Sequence, residues 1–152
     1  MDKSKLIDKL NECLRHEWTG VAQYAQAGFV VAGLWREVYS DKFFDSAKES
    51  FGHAKLVGEK IVAMGGVPSV ERNPVKQSDD LQELLKMALE FESKAVKVYS
   101  EALELAEGDR ALIVFLEDIL KEEQEGVDEL TRILRDPKAV AASIGSSATK
   151  VG

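Results

Sequence analysis

Apolar residues recur every three or four positions through four long stretches of this 152-residue chain, a spacing that an α-helix turns into one continuous face. The first stretch starts near Lys3 or Ser4 and runs to about Trp35, with Leu6, Leu10, Cys13, Leu14, Val21 and Tyr24 on one stripe. The second runs from about Asp41 to Met64 and carries Phe44, Ala47, Phe51, Ala54, Val57, Ile61 and Met64. The third follows an N-cap expected at Ser78 or Asp79 and shows Leu81, Leu85, Ala88, Leu89, Ala95, Val96, Tyr99 and Leu103. After the turn "EGD" at 107–109, the fourth reaches about Arg135 through Leu112, Leu116, Ile119, Leu120, Val127, Leu130 and Leu134. Pro137 is expected to stop it, leaving a small-residue, mobile tail over 138–152.

Four such stripes are buried together most simply in an all-α four-helix bundle spanning residues 1–137. The first and second helices, and the third and fourth, are joined by short links, so each pair is an antiparallel hairpin. The link "GGVPSVERNPVKQSD" differs, because its glycines and prolines break the helix. About 14 residues at about 3.3 Å each reach about 46 Å, enough to cross a helix about 40 Å long. This long crossover leaves the second and third helices parallel.

The charge balance narrows the partners. Net charge is −7 and no basic cluster is present, which argues against nucleic acid and anionic membrane. The lone Cys13 supports neither an intrachain disulfide framework nor a four-cysteine iron site. "MDKSKLIDKL" has no signal-peptide apolar core, and no apolar run is long enough to span a bilayer, so a cytoplasmic protein is expected.

Against this background, four polar residues stand in the wrong place. Glu17 lies between Cys13 and Leu14 behind and Val21 and Tyr24 ahead; Glu92 and Glu123 interrupt the stripes of the third and fourth helices in the same way. His53 does so on the second helix, with Glu49 four places back and Val57 four places on. Any one of these glutamates alone is better read as an edge residue whose head group reaches water, and His53 alone as a hydrogen-bonded core residue. Together they put one ligand-type side chain near the middle of every helix, facing one interior. Burying three carboxylates costs several kcal/mol per charge unless cations or protons compensate. Carboxylate with imidazole suits iron, manganese or zinc.

The stretches "LNECLRHEWTGVAQYAQAG", "GHAKLVGEKIVAMGGVPS", "LEFESKAVKVYSEAL" and "FLEDILKEEQEGVDEL" together resemble the bacterioferritin branch of the ferritin-like superfamily, over residues 4 to about 135. The resemblance implies a ferritin-like four-helix bundle in which two helices each supply a glutamate and two each supply Glu-x-x-His around two irons. The implied metal ligands here are Glu17, His53, Glu92 and Glu123, with Tyr24 beside the centre. Two positions depart: Ser50 stands where a bridging glutamate is expected, and Gly126 where a histidine is expected.

Those departures shape the expected chemistry. Glu17, His53 and Glu123 remain for one cation with open positions, whereas the second position keeps only Glu92 and a share of Glu123. This counts against paired oxidation by two adjacent irons, and hence against ferroxidase activity. Glu49, one residue from the missing bridge, is not expected to replace it, and Glu122 and Glu125 are expected in solvent. Non-haem iron is the expected cargo. Haem is not, since Phe51 replaces the methionine that bacterioferritins present two residues before the helix histidine; Phe51 is read as interface or core packing. A short fifth helix has no clear match. The resemblance implies a homo-oligomer, a dimer or a larger shell. The alternative is a non-catalytic accessory or structural subunit, without metal, beside a complete paralogue.

Overall fold

The computed structural model of the protein describes the backbone of residues 1–151 and the side chains of residues 1–145. Its helices are α1 (Lys3–Val30), α2 (Arg36–Ala63), α3 (Leu81–Leu105), α4 (Arg110–Leu134) and α5 (Pro137–Val151), and no strand occurs among the described residues. Three of the first four helices begin on an aspartate that satisfies an otherwise unpaired backbone N–H of the first turn. Asp2 accepts from Lys5 N at 3.1 Å, Asp80 from Glu83 N at 3.0 Å and Asp109 from Leu112 N at 3.0 Å. The α3 cap is therefore Asp80 rather than Ser78 or Asp79; Ser78 Oγ accepts from Asp80 N just outside it.

The boundary between α1 and α2 differs from the expected one. α1 ends at Val30, not near Trp35, and α2 starts at Arg36, not near Asp41. Gly33 adopts φ +98°, a left-handed conformation that favours glycine and turns the chain. The Arg36 guanidinium donates to the carbonyls of Phe29 and Val31, and Ser40 Oγ donates to that of Gly28, so the last α1 carbonyls are satisfied from α2.

Side-chain contacts fix the directions. His16 meets Phe91, Glu17 meets Tyr99 and Lys9 meets Glu101, so α3 runs antiparallel to α1. His53 meets Glu123 and Lys42 meets Glu129, so α4 runs antiparallel to α2. Residues 64–80 are laid along α1. Asn11 Nδ2 donates to Val67 O, Trp18 Nε1 to Ser69 O and Gln26 Nε2 to Gln77 Oε1, while Thr19 Oγ1 accepts from Asn73 N. This is the long crossover expected of the link, and α2 and α3 are parallel.

The core is two apolar layers. One is built on Leu6, Leu10, Val57, Ile61, Tyr99 and Leu116; the other on Tyr24, Phe43, Leu84, Leu85, Phe91 and Leu130. Two residues assigned to the buried stripe of α2 lie off it. Phe43, not Phe44, is buried, and Phe51 is 53% exposed, against the side of Trp18. Core packing is thus not the role of Phe51.

α5 begins at Pro137, where a stop was expected. Proline at the first turn of a helix costs nothing, because the N–H it lacks would have had no partner there. Asp136 precedes it and accepts from Lys138 N at 2.9 Å. The side chains of the tail from residue 146 onward, part of the segment expected to be mobile, lie outside the described residues.

Candidate metal centre

Between the two apolar layers lies a polar one. Its parts come from every helix of the bundle: Glu17 from α1, Ser50 and His53 from α2, Glu92 and Tyr99 from α3, Glu123 from α4. Glu17, His53 and Glu123 are each at most 3% exposed. His53 Nδ1 is 2.8 Å from Glu123 Oε1 and 3.6 Å from Glu17 Oε1. Tyr99, read from sequence only as an apolar-stripe residue, donates its hydroxyl to Glu17 Oε1 at 3.0 Å. The other oxygen, Glu17 Oε2, is buried without a partner.

Glu92 sits beside this trio, part-buried. Tyr24 donates its hydroxyl to Glu92 Oε1 at 2.5 Å, which puts the tyrosine at the centre as expected. On the far side, a Cβ added at Gly126 would lie 3.2 Å from Glu92 Cδ. Residue 126 therefore faces the centre, and the Glu92 carboxyl lies against the side-chain position that glycine leaves vacant. Ser50 is buried against α1, where a Cβ on Gly20 would strike both its Oγ and the Phe91 ring.

The electrostatics follow from burial. Desolvation raises the Glu17 and Glu123 carboxyls above the usual range. Burial, then the hydrogen bond to Glu123, pushes Glu92 up to about 9. For His53 burial acts downward, but the hydrogen bonds and charges of Glu123 and Glu17 outweigh it and raise the ring to about 12. Without a cation, the imidazolium is what answers the carboxylates.

The side chains of Glu17, His53 and Glu123 fit a cation. Carboxylate and imidazole atoms of Glu17, His53 and Glu123 come within 4.8 Å of one another, and the orphaned Glu17 Oε2 is a donor atom without an acceptor role. The second position would have Glu92 and a share of Glu123 but no donor from Gly126.

Besides the Tyr99 hydrogen bond, sequence reasoning missed the contact of His53 with Glu122. Glu122 is solvent-exposed, as expected, yet its Oε2 lies 2.5 Å from His53 Nε2. Periodicity selects one of two adjacent residues for the interior, and an imidazole with two nitrogens reaches both. The other histidine, His16, is packing: it stacks on Phe91 at 4.0 Å, bonds its carbonyl at 2.9 Å, and is lowered to about 4 by burial.

A cleft of about 410 Å³ leads inward from the surface, lined among others by Glu49, Glu122, Glu125, Gly126, Glu92 and Tyr24. No described helix is long and apolar enough to cross a membrane.

Comparison with known proteins places this geometry. The ferritin family, described as a ferritin-like domain, matches residues 7–140. A bacterioferritin of Rhodobacter capsulatus is 28% identical over 131 residues, 84% of this chain and 81% of that protein. Among solved structures, a ferritin-like di-iron-carboxylate protein from Bacillus anthracis superposes with TM-score 0.86 at 33% identity, covering 89% of this chain and 99% of the other. The bacterioferritin-related dodecameric thioferritin of Bacteroides fragilis gives 0.81 at 27%, covering 96% and 92%. The R. capsulatus bacterioferritin, solved with a metal-free dinuclear site and haem iron, gives 0.79 at 25%, covering 86% and 84%.

Proposed function

Because this chain belongs to the ferritin-like domain family, in its bacterioferritin-like branch, we propose that it binds and handles iron through a reduced centre with one strong cation position per subunit. Glu17, His53 and Glu123 hold that position, and Glu92 flanks it. The observation that carries this reading is the buried, unpartnered Glu17 Oε2 beside an imidazole and a second carboxylate. An iron bound there supplies redox chemistry and Lewis acidity. The chain's own residues do the rest: Tyr99 orients Glu17, Tyr24 orients Glu92, and the apolar layers on either side exclude water. Ser50 and Gly126 leave the neighbouring position without two of its expected ligands, so rapid two-iron oxidation is not part of the proposed activity. Neither is haem, since Phe51 offers no ligand atom.

Anaerobic Fe(II) titration tests this. One Fe(II) per chain is expected, with affinity falling more than about tenfold in Glu17→Ala and His53→Ala. No bound iron, or binding indifferent to both substitutions, sinks it.

A second reading has one specific observation in its favour: both His53 ring nitrogens are already engaged by carboxylates, Glu123 and Glu122, without a cation. The chain would then be a metal-free structural or accessory subunit. Fast oxygen-dependent Fe(II) oxidation by the purified chain alone would exclude that. In either case we place it in the cytoplasm, where a single buried thiol at Cys13 stays reduced, and in a homo-oligomer. Support for the oligomer comes from the dodecameric relative and from the exposed Phe29, Leu34, Trp35 and Val38.

A further inference from the structure

Both ring nitrogens of His53 are engaged, and by different carboxylates. Nδ1 faces inward to Glu123 and Glu17; Nε2 faces outward to Glu122. Glu49, one helical turn before His53, brings a carboxylate to the same outward side. Ligand atoms of Glu49, His53 and Glu122 lie within 4.8 Å of one another, just as those of Glu17, His53 and Glu123 do. Of the outward trio, Glu49 and Glu122 line the cleft that also reaches Glu92 and Tyr24.

A histidine that binds a cation through one nitrogen carries its proton on the other, and that N–H needs an acceptor to fix the tautomer and the ring. His53 has an acceptor behind each nitrogen. With Nδ1–H donated to Glu123, the Nε2 lone pair points outward, on the side of Glu122. With Nε2–H donated to Glu122, the Nδ1 lone pair points at Glu123 and Glu17. The outer set is more than a group of surface acids, because its central ligand is an imidazole 3% exposed and held from behind. The inner destination is marked independently by the unpartnered Glu17 Oε2.

We propose that Glu49, His53 Nε2 and Glu122 form a second, outer divalent-cation position, from which the ion passes to the inner one at the other nitrogen of the same ring. This rests on the proposed inner site. Proton balance is simple. Binding at Nε2 displaces one proton from the imidazolium to the cleft and leaves Nδ1–H on Glu123. Passage inward releases the Nδ1 proton to solvent in the cleft and takes one from that solvent onto Nε2, where Glu122 accepts its hydrogen bond, so the ring's proton count does not change. The two positions exclude each other, since occupying both would strip the ring of its last proton.

Zn(II) is the probe, read by anomalous scattering at the zinc edge from crystals of the full chain. A brief soak of the wild type, and any soak of Glu17→Gln/Glu123→Gln, is expected to show zinc bonded to Nε2 between Glu49 and Glu122. A long wild-type soak, and any soak of Glu49→Gln/Glu122→Gln, is expected to show it on Nδ1. In solution, zinc uptake by Glu49→Gln/Glu122→Gln should slow about tenfold or more, because acidic clefts concentrate cations. Absence of zinc at Nε2 in the brief wild-type soak overturns the outer position, and that soak decides alone if the inner double variant does not fold. Zinc at Nδ1 in the long soak would then leave the inner site standing. Zinc at neither nitrogen removes both.

Discussion

Among the described residues, Glu17 Oε2 is the buried side-chain oxygen without a hydrogen-bond partner. Such a group costs stability in the absence of a cation. Glu17→Gln keeps the acceptor that Tyr99 needs and removes the charge. It should raise metal-free stability by about 1 kcal/mol in urea melts with chelator while abolishing cation binding. The titrating pair has a sign of its own. Glu92 is raised from 4.5 to about 9 and His53 from 6.5 to about 12 in the folded chain. The native state therefore holds more protons than the unfolded one across neutral pH, and stability falls as pH rises. What Glu92 contributes is full below about 4.5 and lost through about 9; what His53 contributes is full below about 6.5 and lost towards about 12. Urea midpoints of metal-free protein should decline from pH 5 to pH 9, and Glu92→Gln should flatten that decline. Glu17, His53, Glu92 and Glu123 were legible because each breaks an apolar stripe. The outward engagement of His53 by Glu122 was not, since Glu122 reads as part of an ordinary charge run.

Helices pack only as closely as their smallest contacts allow, and at Gly20 side chains of both α2 and α3 fill the space a Cβ would need. Ser50 and Phe91 both press on the missing Cβ, so Gly20→Ala should destabilise by about 1–3 kcal/mol through overpacking, despite alanine's better helix propensity. Loss of the α3 cap in Asp80→Ala should cost about 1 kcal/mol, measurable in the same melts. The existence and order of four helices followed from periodicity, and their directions from link length. Their ends did not. "VVAGLWREVYS" is apolar enough to continue a helix, and only Gly33 marks the turn that Arg36 then closes from the other side. Pro137 is a similar case: the same residue ends one helix or begins another, and no periodicity in a small-residue tail decides which.

For the molecule as a whole, a cation that binds only the folded chain adds about 2.7 kcal/mol at one hundred times its dissociation constant. At about 2–4 °C per kcal/mol for a chain of this size, that raises the melting temperature by about 5–10 °C. The increment should grow with pH, as competing protons leave, and vanish in His53→Ala; differential scanning calorimetry with and without Zn(II) measures it. The proposed ligands are divided in a way that gives this stabilisation a direction. Glu17 and His53 belong to the hairpin of α1 and α2, Glu92 and Glu123 to that of α3 and α4, and the strap over residues 64–80 is the sole covalent bridge between the halves. A cation at the centre is thus a clasp across a seam. Loading it should slow amide exchange in both hairpins together, most at the facing turns around 17, 53, 92 and 123, and should keep the halves joined after a protease cuts the strap.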